Sequence, residues 1–180
     1  MDWRHIEEVM AAGRAVFSEL KNLCIWNKTN AGMGTFYRSK HERIFVWKVG
    51  QGAHTNSFGL GETGRYRSNV WDYPGATMVG AARDADLALH PTVKPVALVG
   101  DAIRDCSRRG EIVLDLFGGS GSTLMAAEGA GRLARLLEYD EAYCETILSR
   151  WQEATGREAT HVASGATFAE RCGQVEEIEE

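Results

Sequence analysis

The segment DLFGGSGST, residues 115–123, constrains this chain more than any other. It leaves an apolar run, EIVLDLF, turns on Gly118, Gly119 and Gly121, and opens the helical pattern TLMAAEGAG. A strand that runs through glycines into a helix is the first half of a βαβ unit, in which the backbone can approach a ligand at the carboxyl end of the strand. The next apolar run, RLARLLEYD, carries Glu138, 23 residues beyond Asp115. An acid at roughly that distance, about 20 residues on, accepts ribose hydroxyls in nucleoside cofactor sites. DEAYCETILSRWQEATG then reads as a helix with Asp140 as N-cap and Gly156 as stop, and ATHVAS as a last strand. Strand, helix, strand, helix, strand over 111–164 predicts a doubly wound α/β sheet with parallel strands.

The glycine turn admits few ligands. A phosphate-cradling P-loop needs a lysine before its Ser/Thr, and no lysine follows Lys94. The dinucleotide fingerprint needs a third glycine where Leu124 stands. An acid at the end of the first strand, Asp115, is unfavourable beside a pyrophosphate and suits a cation. The sulfonium and amino group of S-adenosylmethionine fit that requirement.

Upstream, Ile6, Val9, Met10, Gly13, Val16, Phe17 and Leu20 recur at helical spacing and predict a helix over roughly 5–19. Short strands are expected near 21–27 and 42–49, joined by the loop TNAGMGTFYRSK. Residues 50–89 show no sustained period and read as a long loop region or small insert. Pro95 suits the first turn of a helix whose apolar face is Val96, Leu98, Val99, Ala102, Ile103 and Cys106, and Gly110 ends it. VEEIEE reads as a frayed acidic tail.

The net charge of −5 conceals an asymmetry, because residues 1–110 carry 15 basic and 11 acidic side chains whereas 111–180 carry 5 and 14. An acidic total therefore does not exclude a nucleic-acid partner, which responds to a local basic face. The richest stretch is 21–48, where Lys21, Lys28, Arg38, Lys40, Arg43 and Lys48 face only Glu42. On charge alone a solvated basic surface explains it equally well. Cys24, Cys106, Cys144 and Cys172 have no metal-site spacing, so reduced thiols and a cytoplasmic location are expected, with Cys24 and Cys106 as small core residues. No apolar run approaches the length of a membrane span.

HPTVKP at 90–95, DLFGGSGST at 115–123 and LLEYDEAY at 136–143 together resemble the permuted DNA amino-methyltransferases of the N4-cytosine/N6-adenine class. The resemblance is to the β-type order, in which the substrate-contacting half precedes the cofactor half. It continues through MDWRH, LCIWNK, FYRSKHE and GRYRSNVWDYP and covers about residues 2–165. Within the class the chain looks most like the adenine methyltransferases often fused to a ParB-like domain. Leu116 stands where the family usually has Pro, and Ser122 where it usually has Thr.

The resemblance implies a partial Rossmann-like methyltransferase fold with an S-adenosylmethionine site and double-stranded DNA as partner. Residues 1–49 would end the substrate half, 50–89 would be the target-recognition insert, 90–168 the cofactor half and 169–180 an acidic tail. His90, Thr92, Lys94, Asp115, Phe117, Gly118, Gly119, Gly121 and Glu138 would line the cofactor, with Asp115 near its amino group, Glu138 on the ribose, and Thr92 and Lys94 near its carboxylate. Lys28, Arg38, Ser39, Lys40 and His41 would face DNA, as would Arg65, Tyr66, Arg67, Asn69 and Trp71 from the insert. Taken alone, HPTVKP is an ordinary helix-initiating loop, and Trp71 and Tyr73 serve equally well as packing anchors.

The family localises the lone pair of the target amino group with a [DNS]PP[YFW] motif. Pro74, Pro91 and Pro95 are the only prolines here and none are adjacent, so that motif is absent from the sequence. By resemblance it lies upstream of the segment matching MDWRH, and sheet strands 4 and 5 of the order 3-2-1-4-5-7-6 go with it. The expectation is the C-terminal part of an adenine-N6 DNA methyltransferase, inactive until an upstream fragment supplies the motif. The alternatives are a non-catalytic remnant that binds cofactor or DNA, and an N4-cytosine or RNA methyltransferase.

Overall fold

A computed structural model describes residues 3–34, 36–57, 67–75 and 93–179. A 3-10 turn at Trp3–His5 leads into α1, Ile6–Val16. The helix ends earlier than its periodicity suggests because Phe17 is extended and the Ser18 N–H already donates to Lys48 O at 2.9 Å. Phe17 stacks on Trp47, with centroids 5.7 Å apart. Gly13 is buried against the same indole, where a Cβ would lie 2.3 Å from the ring. The absence of a side chain at 13 is what lets α1 seat on the sheet.

That sheet has the order β2-β1-β3. β1, Glu19–Lys28, pairs antiparallel with β2, His41–Lys48, from Glu19↔Lys48 to Asn27↔His41, with an irregularity between Leu20 and Asn22. On its other side β1 pairs in parallel with β3, Val70–Tyr73, from Ile25↔Val70 to Lys28↔Tyr73. The strand β3 falls inside the segment read from sequence as loop or insert. Four residues, VWDY, are too short to display a period, although their β-branched and aromatic character suits a strand.

Helix α2, Val96–Cys106, bridges the two halves. Its Leu98 joins Cys24, Trp26 and Trp71 in one core, its Ile103 joins a second core with Ala126, Ala127 and Ala130, and Val99 packs against both. Burying Leu98 and Ile103 contributes about 1.5–3 kcal/mol each, so this helix does much to hold the halves together. Cys106, expected on the same apolar face, is exposed. The buried positions of α2 are instead Leu98, Gly100, Ile103 and Asp105, an acid drawn inward by Arg67.

The second sheet pairs β4, Ile112–Asp115, in parallel with β5, Leu133–Leu136, around α3, Ser122–Ala130. The alanines of α3 let it lie close to α2 and to Val113 and Ala134. The opposite face of this sheet, with Ile112, Leu114 and Leu133, is more than half exposed. β4 pairs with β5 as strands 1 and 2 of the expected order would, and β1 with β2 as 6 and 7 would, but in two separate sheets, with β3 added beside β1 where that order has no strand. No strand among the described residues fills positions 4 and 5.

Helix α4, Glu141–Thr155, starts as expected at Asp140, whose side chain accepts from the N–H groups of Ala142 and Tyr143, and stops at Gly156 with φ +67°. The last strand expected from ATHVAS does not form. Residue Thr160 makes only an isolated bridge to Thr167, and His161 N–H donates to Ala166 O across a turn. The acidic tail is likewise corrected, because Phe168–Glu179 forms α5. Thr167 provides its start: its Oγ1 accepts from Glu170 N–H while the Glu170 carboxylate accepts from Thr167 N–H, a reciprocal capping box.

Candidate cofactor cleft and nucleic-acid face

The glycine turn shapes the site. Gly119 and Gly121 have φ +53° and +79°, a region that costs other residues strain. Gly121 N–H closes the turn on Gly118 O at 2.9 Å. A Cβ on Gly118 would sit 3.0 Å from Ile147 of α4, and one on Gly121 would sit 3.2 Å from it. A side chain at Gly118 or Gly121 would push Ile147 back by a few tenths of an ångström, and at Gly121 it would also be strained by the positive φ.

Between β4, β5 and the start of α3 lies a cleft of about 330 Å³, lined by Lys94, Asp115, Phe117, Gly118, Gly119 and Glu138. This volume is within the range of about 300–1,000 Å³ common for small-molecule sites. Both carboxylates are held in place. Asp115 accepts from Phe117 N–H at 3.0 Å through one oxygen and from the Thr123 hydroxyl at 2.6 Å through the other. Glu138 accepts from Gly119 N–H at 2.6 Å through one oxygen, and from Tyr139 and Asp140 N–H at 2.8 and 3.0 Å through the other. A carboxylate offers about four lone-pair sites, so Asp115, with two of them used, can accept further hydrogen bonds. The arrangement provides two oriented anionic acceptors, one lysine, and the first turn of a helix.

Phe117 is 87% exposed at the mouth of the cleft. Gly121 shapes the turn without lining the cleft. His90 and Thr92 lie outside the described residues. The cleft also draws in residues that sequence reasoning passed over, namely Val99, Ser120, Ser122, Thr123 and Tyr143. Thr123 and Ser122 had a readable signal as hydroxyls in the first turn after the glycines. Tyr143 had a weaker one, a phenol on the otherwise apolar stripe of α4. Behind the loop, Arg150 of α4 donates to Ser120 O at 2.9 Å.

The residues expected to face DNA divide into two groups. Arg38, Lys40 and His41 are exposed and Ser39 is half-buried, all on or beside the β1–β2 loop. Lys28, by contrast, is paired with Glu42 at 2.6 Å and lies 4.8 Å from the Trp26 ring centroid. Burial would raise the Glu42 carboxyl, but the Lys28 hydrogen bond and the charges of Lys94 and Lys28 outweigh it and hold it below the usual range.

Arg67 and Trp71 are turned inward, which corrects the expectation that they face DNA. Trp71 is 9% exposed and donates to Ser68 O. Arg67 stacks on its ring at 4.5 Å and donates to Asp101 at 3.0 Å and to the Tyr73 hydroxyl at 3.2 Å. Its Nε lies 2.9 Å from Asp105, at ion-pair distance without hydrogen-bond alignment. The guanidinium is thus neutralised by α2 and clamps β3 to that helix. Asn69 stays exposed, with its amide donating to Leu23 O at 3.2 Å, while Arg65 and Tyr66 lie outside the described residues.

The fold is a Rossmann-like α/β arrangement with a cleft at the carboxyl ends of the parallel strands β4 and β5. The model of the N6/N4 DNA methylase family matches residues 1–149, and the chain belongs to that family. It is 37% identical over 95 residues to the DNA adenine methyltransferase YhdJ of Escherichia coli (strain K12), a match covering 53% of this chain and 31% of that protein. It is 30% identical over 87 residues to the type II methyltransferase M.ScaI of Streptomyces caespitosus, covering 48% of this chain and 29% of that one. The chain thus spans under a third of the length of either relative. Among solved structures, the M1.HpyAVI–SAM complex superposes with a TM-score of 0.65 at 22% identity, over 84% of this chain and 71% of that chain. No described helix is long and apolar enough to cross a membrane.

Proposed function

We propose that this chain is the cofactor-binding and DNA-facing part of an S-adenosylmethionine-dependent DNA methyltransferase acting on the N6 amino group of adenine. The observation that carries this reading is the pair of anchored carboxylates, Asp115 and Glu138, facing one cleft beside a glycine turn. These residues fit the cofactor. Asp115 suits its cationic amino group, Glu138 its ribose diol, and Lys94 its carboxylate, while Gly118 and Gly119 leave the backbone bare where it approaches. When bound, the cofactor supplies an electrophilic methyl group on a sulfonium. Adenine is favoured over cytosine by the likeness to YhdJ, which is named an adenine methyltransferase.

No Pro-Pro pair occurs in the sequence, so the [DNS]PP[YFW] motif that would accept the protons of the target amino group is not carried by these 180 residues. Methyl transfer accordingly requires a polypeptide segment carrying that motif. Its strands would pair with the outer edges of β2 and β4, and its helices would cover Ile112, Leu114 and Leu133.

The test combines calorimetry with methyl transfer. The chain is expected to bind S-adenosylmethionine alone, to transfer no labelled methyl to duplex DNA alone, and to yield N6-methyladenine once a motif-bearing polypeptide is added. Robust transfer by the isolated chain would overturn the requirement for a second segment. Absence of transfer with every such polypeptide, together with intact cofactor binding, would favour a non-catalytic remnant. N4-methylcytosine as the product would correct the target base.

A further inference from the structure

The β1–β2 loop has a feature that neither the cleft nor the cationic residues account for. Met33, Phe36 and Tyr37 are 93%, 86% and 81% exposed. Single exposed apolar side chains are ordinary, but three large ones on one short loop form a patch. The Phe36 and Tyr37 rings pack edge to face, with centroids 4.6 Å apart and planes at 80°.

The loop is built to hold them there. Gly32 N–H donates to Ser39 O at 2.7 Å and Arg38 reaches back to Ala31 O at 2.7 Å. A Cβ on Gly34 would lie 1.9 Å from the backbone oxygen of Tyr37, so the chain passes itself at a separation only glycine permits.

The surroundings indicate the partner. No acidic residue occurs between Glu19 and Glu42, and exposed Arg38 and Lys40 flank the rings. A polyanion that also offers an apolar interior suits this combination, whereas a purely apolar surface leaves the cations unmatched.

We propose that Phe36 and Tyr37, with Met33, form a wedge that enters the base stack of duplex DNA while Arg38 and Lys40 hold the adjacent phosphates. This rests on the reading of DNA as the substrate. An enzyme that modifies a base draws it out of the stack and leaves a gap. Apolar and aromatic side chains inserted between base steps offset the lost stacking. The wedge gives the loop that role, with Phe36 and Tyr37 already packed edge to face.

The test uses the full chain and two otherwise identical duplexes, one intact and one with a single abasic site, in which the gap is already open. The wild-type chain is expected to bind the abasic duplex about tenfold more tightly than the intact one. Phe36→Ala/Tyr37→Ala is expected to abolish that preference while leaving the salt dependence of binding and the thermal melt unchanged, since both rings are exposed. Arg38→Ala/Lys40→Ala is expected to keep the preference and reduce the salt dependence. An unchanged preference in the Phe36/Tyr37 variant overturns the wedge with DNA binding intact. If the wild-type chain binds neither duplex at low salt, the DNA reading itself is overturned.

Discussion

The Ser122 hydroxyl donates to the backbone carbonyl of Lys94 at 2.9 Å, tying the first turn of α3 to the opposite wall of the cleft. Ser122 is buried, so its loss leaves a carbonyl without that partner at a cost of about 1 kcal/mol, or roughly fivefold in an equilibrium. Ser122→Ala is expected to weaken S-adenosylmethionine binding by about that factor in calorimetry. Ser122→Thr, which keeps the hydroxyl and adds only a methyl group, is expected to retain wild-type affinity. Equal affinity for Ala and Ser at this position removes the cross-cleft bond from the account.

Glu138 and Asp115 organise the cleft before anything binds. Removing the Glu138 carboxylate strands three backbone N–H groups and the acceptor offered to a ribose. Glu138→Ala and Asp115→Ala are each expected to lower cofactor affinity at least tenfold, equivalent to about 1.4 kcal/mol. Unchanged calorimetric affinity in both variants would discard the site.

Arg67 and Arg38 look alike in sequence and differ in the structure. Arg67→Ala removes the ion pairs to Asp101 and to the largely buried Asp105 and is expected to cost about 3 kcal/mol in denaturant unfolding, with no change in the salt dependence of DNA binding. Arg38→Ala is expected to leave stability within about 0.5 kcal/mol and to lower the salt slope by about one. The reverse pattern contradicts the inward placement of Arg67.

The same network sets a pH response. Burial would raise the Asp101 carboxyl, but the Tyr73 hydroxyl, Arg67 and Arg104 outweigh it and hold the group below its usual range. A carboxyl lowered on folding stabilises fully above its unfolded value, near about 3.9, and that stability is lost as pH falls through the folded value. The stability gap between wild type and Asp101→Asn is therefore expected to be present at pH 7 and to narrow below about pH 4. A gap that persists unchanged through acid unfolding argues against the pairing. Tyr73 is raised by burial and then by its bond to Asp101, so its contribution is lost at the alkaline end, as pH rises through the folded value.

Gly121 tests the glycine turn with least chemical change. Ala at this position must adopt φ +79° and approach Ile147 at 3.2 Å. The expected loss is about 1–2 kcal/mol of stability, together with weaker cofactor binding. Gly156, at φ +67° with nothing nearby, is the control: Ala there is expected to cost stability and leave binding unchanged.

The sequence by itself determined the βαβ unit of β4, α3 and β5 and the start of α4, though not the strand expected from ATHVAS. Gly118, Gly119, Gly121, Asp115, Glu138 and the Asp140 cap are local signals, each set by backbone conformation or spacing within one βαβ unit. They therefore survive in a linear reading. The strand β3, the helix α5 and the exposure of Cys106 were not legible, because a four-residue strand has no period and a short tail has little apolar content. Only the tertiary structure decided which charges face out. Lys28, Arg38 and Arg67 are all cations in sequence. Whether each meets Glu42, solvent or Asp101 depends on contacts across 14 and 34 positions that no spacing rule encodes. Burial also decided between two meanings of an aromatic, since Trp71 is enclosed beneath α2 whereas Phe36 and Tyr37 stand in water at a hairpin tip.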